Sequence, residues 1–286
     1  MSLKDQLNKH GLAPSKKFGQ NFLVNPGTAR RIVSLGQFSA QDTVMEVGVG
    51  MGALTSIIAE QVNQVIGIEI DRGIIRYHQN EKTLPSNVKL VHEDILKLDF
   101  KKYFEQTGGE LKIIANLPYS ISNPFIFKVL DNHHLVSRVT VMLQKEVADR
   151  LTATPGSKEY GIPTVLLNAM AQVTPLLKIK PAEFHPRPKV DSQVIDIQFL
   201  HASFPVPFDY FKKVVRHGFA NRRKTLLNNL LSAQLFAVDQ EKRAVRIRLE
   251  NELNKVKLKP TIRAESLTIA QFIELSQALR SQFRDD

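Results

Sequence analysis

The chain has 286 residues, 43% of them hydrophobic and 23% charged, enough for one large domain and a small second one. It contains no cysteine, which excludes disulfides, thiolate zinc sites and a cysteine nucleophile, and it shows no apolar run of the kind a signal peptide or membrane span needs, so a soluble cytoplasmic protein is expected. The net charge of +11 is uneven: cations are in excess over residues 1–35 and 201–286, and 36–135 is slightly acidic, which offers a polyanion the two ends and leaves the middle for other work.

From about residue 43, short β-branched runs alternate with amphipathic stretches. Residues 43–47 predict a first strand, followed by a glycine-rich turn and a helix over 53–62. Residues 65–70 predict a second strand, with a helix running to about 80. Residues 88–91, 112–116 and 138–143 predict three more strands with helix-compatible segments between them. Such repeated strand–helix alternation argues for a parallel sheet covered on both faces. Residues 173–179 and 193–200 predict two late strands joined by a proline-rich connector over 180–189, suited to an antiparallel edge hairpin. Past Pro205 and Pro207 only helical patterns persist, over 209–221, 225–235, 240–249 and 268–283. Thr268 and Gln271 make a capping box for the last of these. The expected organisation is an α/β domain over 1–204 and an all-helical domain over 205–286.

Glu46-Val47-Gly48-Val49-Gly50-Met51-Gly52 lies where the first strand hands over to a helix. Glycines there allow a tight turn and close approach of a ligand to the main chain. Gly48, Gly50 and Ala53 also satisfy a dinucleotide fingerprint, with Glu69 as the acidic residue about 20 positions on. The turn alone therefore leaves both NAD and S-adenosylmethionine open. Glu46 favours the second, because a carboxylate repels a pyrophosphate and attracts a sulfonium and an α-amino group. Glu93 and Asp94 follow the third strand. Asp94 suits either an adenine amino group or a helix cap, and its place beside Glu46 and Glu69 at successive strand ends favours the ligand.

Asn116-Leu117-Pro118-Tyr119 follows the fourth strand. An adenine N6 is a poor nucleophile because its lone pair is delocalised into the ring. The Asn116 amide oxygen and the Leu117 carbonyl are placed to accept its two hydrogens and aim the lone pair at a methyl donor. Pro118 fixes the turn and Tyr119 offers a stacking face. Catalysis would then rest on positioning and electrostatics, without a covalent intermediate.

At this point the sequence resembles the ribosomal RNA adenine dimethyltransferase family, in the bacterial branch that dimethylates two adjacent adenosines near the 3′ end of small-subunit (16S) ribosomal RNA. The matching stretches are residues 17–23 (KFGQNFL), 46–55 (EVGVGMGALT), Glu69 with Asp71, Glu93 with Asp94, and 116–119, then 184–192 (FHPRPKVDS) and 221–226 (NRRKTL). They run through nearly the whole chain. Val49 stands where a proline is usual, and Leu227 where an arginine is common, a change expected to trim one RNA contact.

The resemblance implies a Rossmann-like S-adenosylmethionine-dependent methyltransferase fold with a small helical C-terminal domain. It places Asn21 and Leu23 at the cofactor pocket, Gly48 and Gly50 at the methionine moiety and its turn, Glu69 on the ribose hydroxyls and Asp94 on the adenine amino group. Asn116 touches both cofactor and target, and Phe184 sandwiches the target base opposite Tyr119. Read by itself, an aromatic in a proline-rich connector is more readily a core residue. The expected partner is 16S ribosomal RNA in the small subunit or its precursor, with no membrane, no metal and a monomeric enzyme.

Basic clusters occur at Lys16-Lys17, Arg30-Arg31, Lys212-Lys213 with Arg216, and Arg222-Arg223-Lys224. Such groups contribute salt-dependent affinity for phosphates and no sequence choice. Arg222, Arg223 and Lys224 are expected on RNA because they precede a helix start at Thr225. The histidines show no metal spacing and are expected at the surface. The competing readings are a large-subunit ribosomal RNA adenine N6-methyltransferase of the macrolide-resistance type, an RNA-binding paralogue without catalysis and, more remotely, an NAD-dependent oxidoreductase.

Overall fold

A computed structural model describes residues 3–15, 18–232 and 242–282. Lys16 and Lys17 lie outside them, as do the ends of three predicted helices, at 233–235, 240–241 and 283. In chain order the elements are α1 (Leu3–Lys9), β1 (Phe22–Leu23), α2 (Pro26–Leu35), β2 (Thr43–Val47), α3 (Thr55–Ala59), β3 (Gln64–Glu69), α4 (Arg72–Glu81), β4 (Val88–His92), α5 (Lys101–Phe104), β5 (Leu111–Asn116), α6 (Ser122–Asp131), β6 (Val136–Gln144), α7 (Lys145–Leu151) and α8 (Ile162–Met170). There follow β7 (Ala171–Ile179), β8 (Phe184–His185), β9 (Ser192–Phe199), α9 (Phe208–Gly218), α10 (Leu226–Leu231), α11 (Lys242–Lys255) and α12 (Ile269–Gln282).

Seven strands form one sheet in the order β4-β3-β2-β5-β6-β9-β7. The first five run parallel, and β9 joins antiparallel to both β6 and β7. The late hairpin therefore forms as expected, with β7 at the edge. Every residue of β2 is buried and β6 nearly so, the pattern of strands covered on both faces. Strand order reverses between β2 and β5, so the carboxyl ends of these strands flank the crevice where open α/β sheets bind ligands. A two-residue pairing of β1 with β8 sets Leu23 opposite Phe184. Asn25 caps α2 through the Gly27 and Thr28 amides, with Pro26 at the first helical position.

The chain divides into two compact units, residues 1–149 with 171–201, and residues 150–170 with 202–286. The late boundary falls near the expected one, but residues 150–170 group with the helices instead of the sheet domain. Packing and hydrogen bonding explain this. Tyr160 is buried and its hydroxyl donates to the Leu267 carbonyl at 2.8 Å, and the Gly156 amide donates to the Glu265 carbonyl at 2.7 Å. The capping box of α12 forms, with reciprocal bonds of 2.9 and 3.2 Å between Thr268 and Gln271. Leu227 is buried, so the residue expected to lack an RNA contact instead fills the core of this unit.

Candidate active site

The turn after β2 is built from close backbone approaches. Gly48, Gly50 and Gly52 all have positive φ, at 83°, 54° and 82°, a region where a side chain is strained. A Cβ at Gly48 would lie 2.9 Å from the Asn116 carbonyl oxygen. Only glycine lets the turn touch the end of β5. Val49 is buried beneath it, and Gly67 of β3 leaves the room it needs, since a Cβ there would meet Val49 at 2.7 Å. The departure at Val49 is thus absorbed by the neighbouring strand.

Between this turn and the strand ends lies a cavity of about 200 Å³, lined by residues 20–23, Glu46, Gly48, Gly50, Glu69, Asp94 and residues 116–118 among others. Sequence motifs 95 residues apart meet there. Asn21 and Leu23 come from the segment around β1, and Gln20 ties that segment down by donating to Asp71 at 2.9 Å. Asp71 in turn caps α4 through the Gly73 amide.

The carboxylates are held in three different ways. Glu46 is 1% exposed, and among the described residues neither of its oxygens has a hydrogen-bond partner. Burial pushes its pKa up to about 8, opposed by the Thr55 hydroxyl nearby and reinforced by the charge of Glu69. Glu69 accepts from the Gly50, Ile70 and Asp71 amides at 2.9–3.0 Å, yet burial outweighs these bonds and its pKa is also raised. Asp94 accepts from the Leu96 amide at 3.0 Å through Oδ1. It is therefore a turn cap that also lines the cavity.

Asn116 makes one long contact, its amide nitrogen donating to the Asn21 carbonyl at 3.5 Å. Leu117, Pro118, Ser120 and Ile121 line the cavity beside it. Tyr119 is not among the lining residues. Its hydroxyl shares a 2.8 Å hydrogen bond with that of buried Ser192, which anchors the ring next to the cavity, and burial raises its pKa.

Three expectations need correction. Phe184 is 3% exposed and packs in the core with Leu23, Ile32 and Val194. Its pairing in β8 turns it inward, so it presents no face to a base here. Arg222 is committed within its own unit: its guanidinium pairs with Glu265 at 3.0–3.1 Å and donates to the Lys158 carbonyl at 2.8 Å. Arg223 and Lys224 are exposed. Finally, not every histidine is at the surface. His78 is 3% exposed and its Nε2 lies 2.7 Å from the Gly50 carbonyl, with Nδ1 on the Thr83 hydroxyl. A carbonyl only accepts, so Nε2 carries the proton. Burial lowers the pKa of this ring. Sequence spacing held no signal for His78, because the contact spans 28 residues and forms only when α4 packs under the turn.

Among the described residues no group of three or more histidine, aspartate or glutamate side chains is arranged to hold a metal ion, and no helix is long and apolar enough to cross a membrane.

The family model for ribosomal RNA adenine dimethylase matches residues 12–273. The ribosomal RNA small subunit methyltransferase A of Desulfotalea psychrophila (strain LSv54 / DSM 12343) is 48% identical over 284 residues, covering 98% of this chain and 96% of the relative. A dimethyladenosine transferase from Plasmodium falciparum has a similar structure, with a TM-score of 0.77, 26% identity, and coverage of 91% of this chain and 98% of that one. The 23S rRNA methyltransferase ErmE aligns with a TM-score of 0.67 at 21% identity, over 91% of this chain and 99% of its own. That likeness is one of fold.

Proposed function

The chain belongs to the ribosomal RNA adenine dimethylase family, and from that premise we propose that it transfers methyl groups from S-adenosylmethionine to N6 of two adjacent adenosines near the 3′ end of 16S ribosomal RNA, acting as a cytoplasmic monomer on the small subunit or its precursor. The observation that carries this reading is the contact of Gly48 with the Asn116 carbonyl. It puts the turn that would hold a methyl donor directly against the tetrad that would hold the acceptor. The full-length likeness to a small-subunit enzyme, against a likeness of fold alone to a large-subunit one, favours the small subunit.

The cavity fits S-adenosylmethionine. Glu46, with two unpaired oxygens and lining the cavity, in its charged form suits a cationic ligand and would repel the pyrophosphate of a dinucleotide. Asn21, Leu23, Gly48 and Gly50 would hold the methionine end, Glu69 the ribose hydroxyls, and Asp94, through its second oxygen, the adenine amino group. When bound, the cofactor supplies an electrophilic methyl group on a sulfonium.

The chain's own contribution is positioning. The Asn116 amide oxygen and the Leu117 carbonyl accept hydrogen bonds from N6, two in adenine and one after the first methylation, and draw the lone pair out of conjugation. Each transfer forms the N–CH3 bond as the S–CH3 bond breaks, releasing S-adenosylhomocysteine and, to solvent, one N6 proton. Such preorganised acceptors cost no reorganisation as charge develops. Tyr119, pinned through Ser192, stacks on the base. The test is tritiated methyl transfer to undermethylated small subunits followed by nucleoside analysis. Label in N6-dimethyladenosine of 16S ribosomal RNA is expected; label confined to large-subunit RNA, or none, overturns the reading.

A further inference from the structure

The carboxyl-end rim of the sheet continues past the tetrad into a cluster of cations that the chemistry described above does not use. Lys178 and Lys180 flank buried Ile179 at the end of β7. With one residue between them they project on the same face. Both ammonium groups converge on a single oxygen of Asp191, at 3.0 and 3.2 Å. The lysines are exposed, and both lower the pKa of this carboxyl. Arg187 and Lys189, in the connector leading to Asp191, are exposed as well.

The location of this cluster gives it meaning. Asp191 immediately precedes Ser192, the residue that anchors Tyr119. Ser192 pairs with Gln144 at the carboxyl end of β6, and β6 neighbours β5, which carries Asn116. At about 4.8 Å per strand, β9 stands roughly 10 Å from β5. Along one rim the order is cofactor cavity, tetrad and then the lysine pair.

We propose that Lys178 and Lys180 form a phosphate grip for the RNA strand beside the target base, with Asp191 occupying the grip as an internal anion until RNA displaces it. This rests on the RNA reading given above and adds where the catalytic unit itself holds the backbone. Two ammonium groups sharing one carboxylate oxygen leave a net positive charge, and they already have the spacing to clasp one oxyanion. An exposed pair of this kind holds weakly, so a phosphate can replace the carboxylate.

The test is binding of the full chain to undermethylated small subunits between low and moderate salt, with cofactor calorimetry in parallel. Lys178→Ala with Lys180→Ala should weaken binding and reduce the slope of log affinity against log salt by about 0.7 for each lost contact to single-stranded RNA. Asp191→Asn should strengthen binding, because it removes the competing anion at constant shape. Cofactor affinity should stay the same in both. An unchanged slope in the double variant, or weaker binding in Asp191→Asn, overturns the grip. If the wild-type chain transfers no methyl group to small subunits, the broader functional reading falls instead; transfer by wild type with indifferent lysine variants removes the grip alone.

Discussion

Each of the two units buries a glutamate, and the two are treated in opposite ways. Glu252 in the helical unit is paired with Lys255 at 2.7 Å. Glu46 in the sheet unit is buried with no hydrogen-bond partner for either oxygen. A buried polar group left unpaired costs free energy, and of the buried side chains so left among the described residues, Glu46 is the one that lines the cavity. The same contrast separates the arginines and amides. Arg222 spends its guanidinium on Glu265 and a carbonyl, while Asn116 holds one weak contact of 3.5 Å. A group left incomplete in the cavity points to a ligand, whereas internal satisfaction does not exclude one: Glu69 accepts from three amides and still lines the cavity.

The sharpest test of that division is Asn116→Ala. Loss of a positioned polar contact in analogous transition states costs about 2.7–4 kcal/mol, or roughly 10²–10³ in rate. Methyl transfer at saturating substrate should fall by that factor, while circular dichroism and cofactor affinity hold. Retention of more than about a tenth of the rate, a loss under about 1.4 kcal/mol, would place Asn116 with the structural residues.

Glu46 and Glu252 should respond to the same substitution with opposite sign. Glu46→Gln should stabilise the ligand-free chain at pH 9 yet weaken cofactor binding by roughly tenfold, about 1.4 kcal/mol. Glu252→Gln should cost about 1 kcal/mol of stability and leave binding alone. The pH dependence has a definite sign. Burial raises the Glu46 pKa from 4.5 to about 8, so its bound proton stabilises the ligand-free fold fully below about pH 4.5, and that contribution is lost as pH rises through 8. A cationic cofactor needs the charged form, so its affinity should climb over the same range and level off above it. Calorimetry showing no proton release on cofactor binding near pH 7 would break this link.

His78 tests whether a group satisfied internally can still serve the site at one remove. His78→Leu removes the donor to the Gly50 carbonyl and should raise the KM for cofactor several-fold with little change in kcat. His78→Gln keeps a donor and should recover most of the loss. Equal damage by both would make the ring a packing element only.

The smallest effect is expected in the basic run. Arg222→Ala should lower thermal stability, by about 1 kcal/mol for a partly exposed network, with little change in the salt slope of RNA binding. Arg223→Ala with Lys224→Ala should do the reverse, reducing the slope by up to about 0.9 per lost phosphate contact in duplex RNA and leaving the melting point in place. A slope that responds to Arg222 alone would show that RNA outcompetes Glu265.

The sequence by itself determined the strand–helix alternation, the strand ends that carry Gly48, Glu69, Asp94 and Asn116, and the capping box at Thr268. These rest on local periodicity and turn chemistry, which a linear reading resolves. Only the tertiary structure decided what faces inward. Phe184 suits a core when read alone and a base platform by the family resemblance, and its backbone pairs with Leu23 and draws the ring into the core. Residues 150–170 follow the sheet in sequence yet pack with the helices, because Tyr160 and Gly156 find their partners more than a hundred residues on. Arg222 reads like Arg223 in the chain, and its contacts with Glu265 and the Lys158 carbonyl tell them apart. His78 has no motif at all. Each depends on which distant atom lies within about 3 Å, and a hydrogen bond weakens so steeply with distance and angle that no spacing rule along the chain can stand in for it.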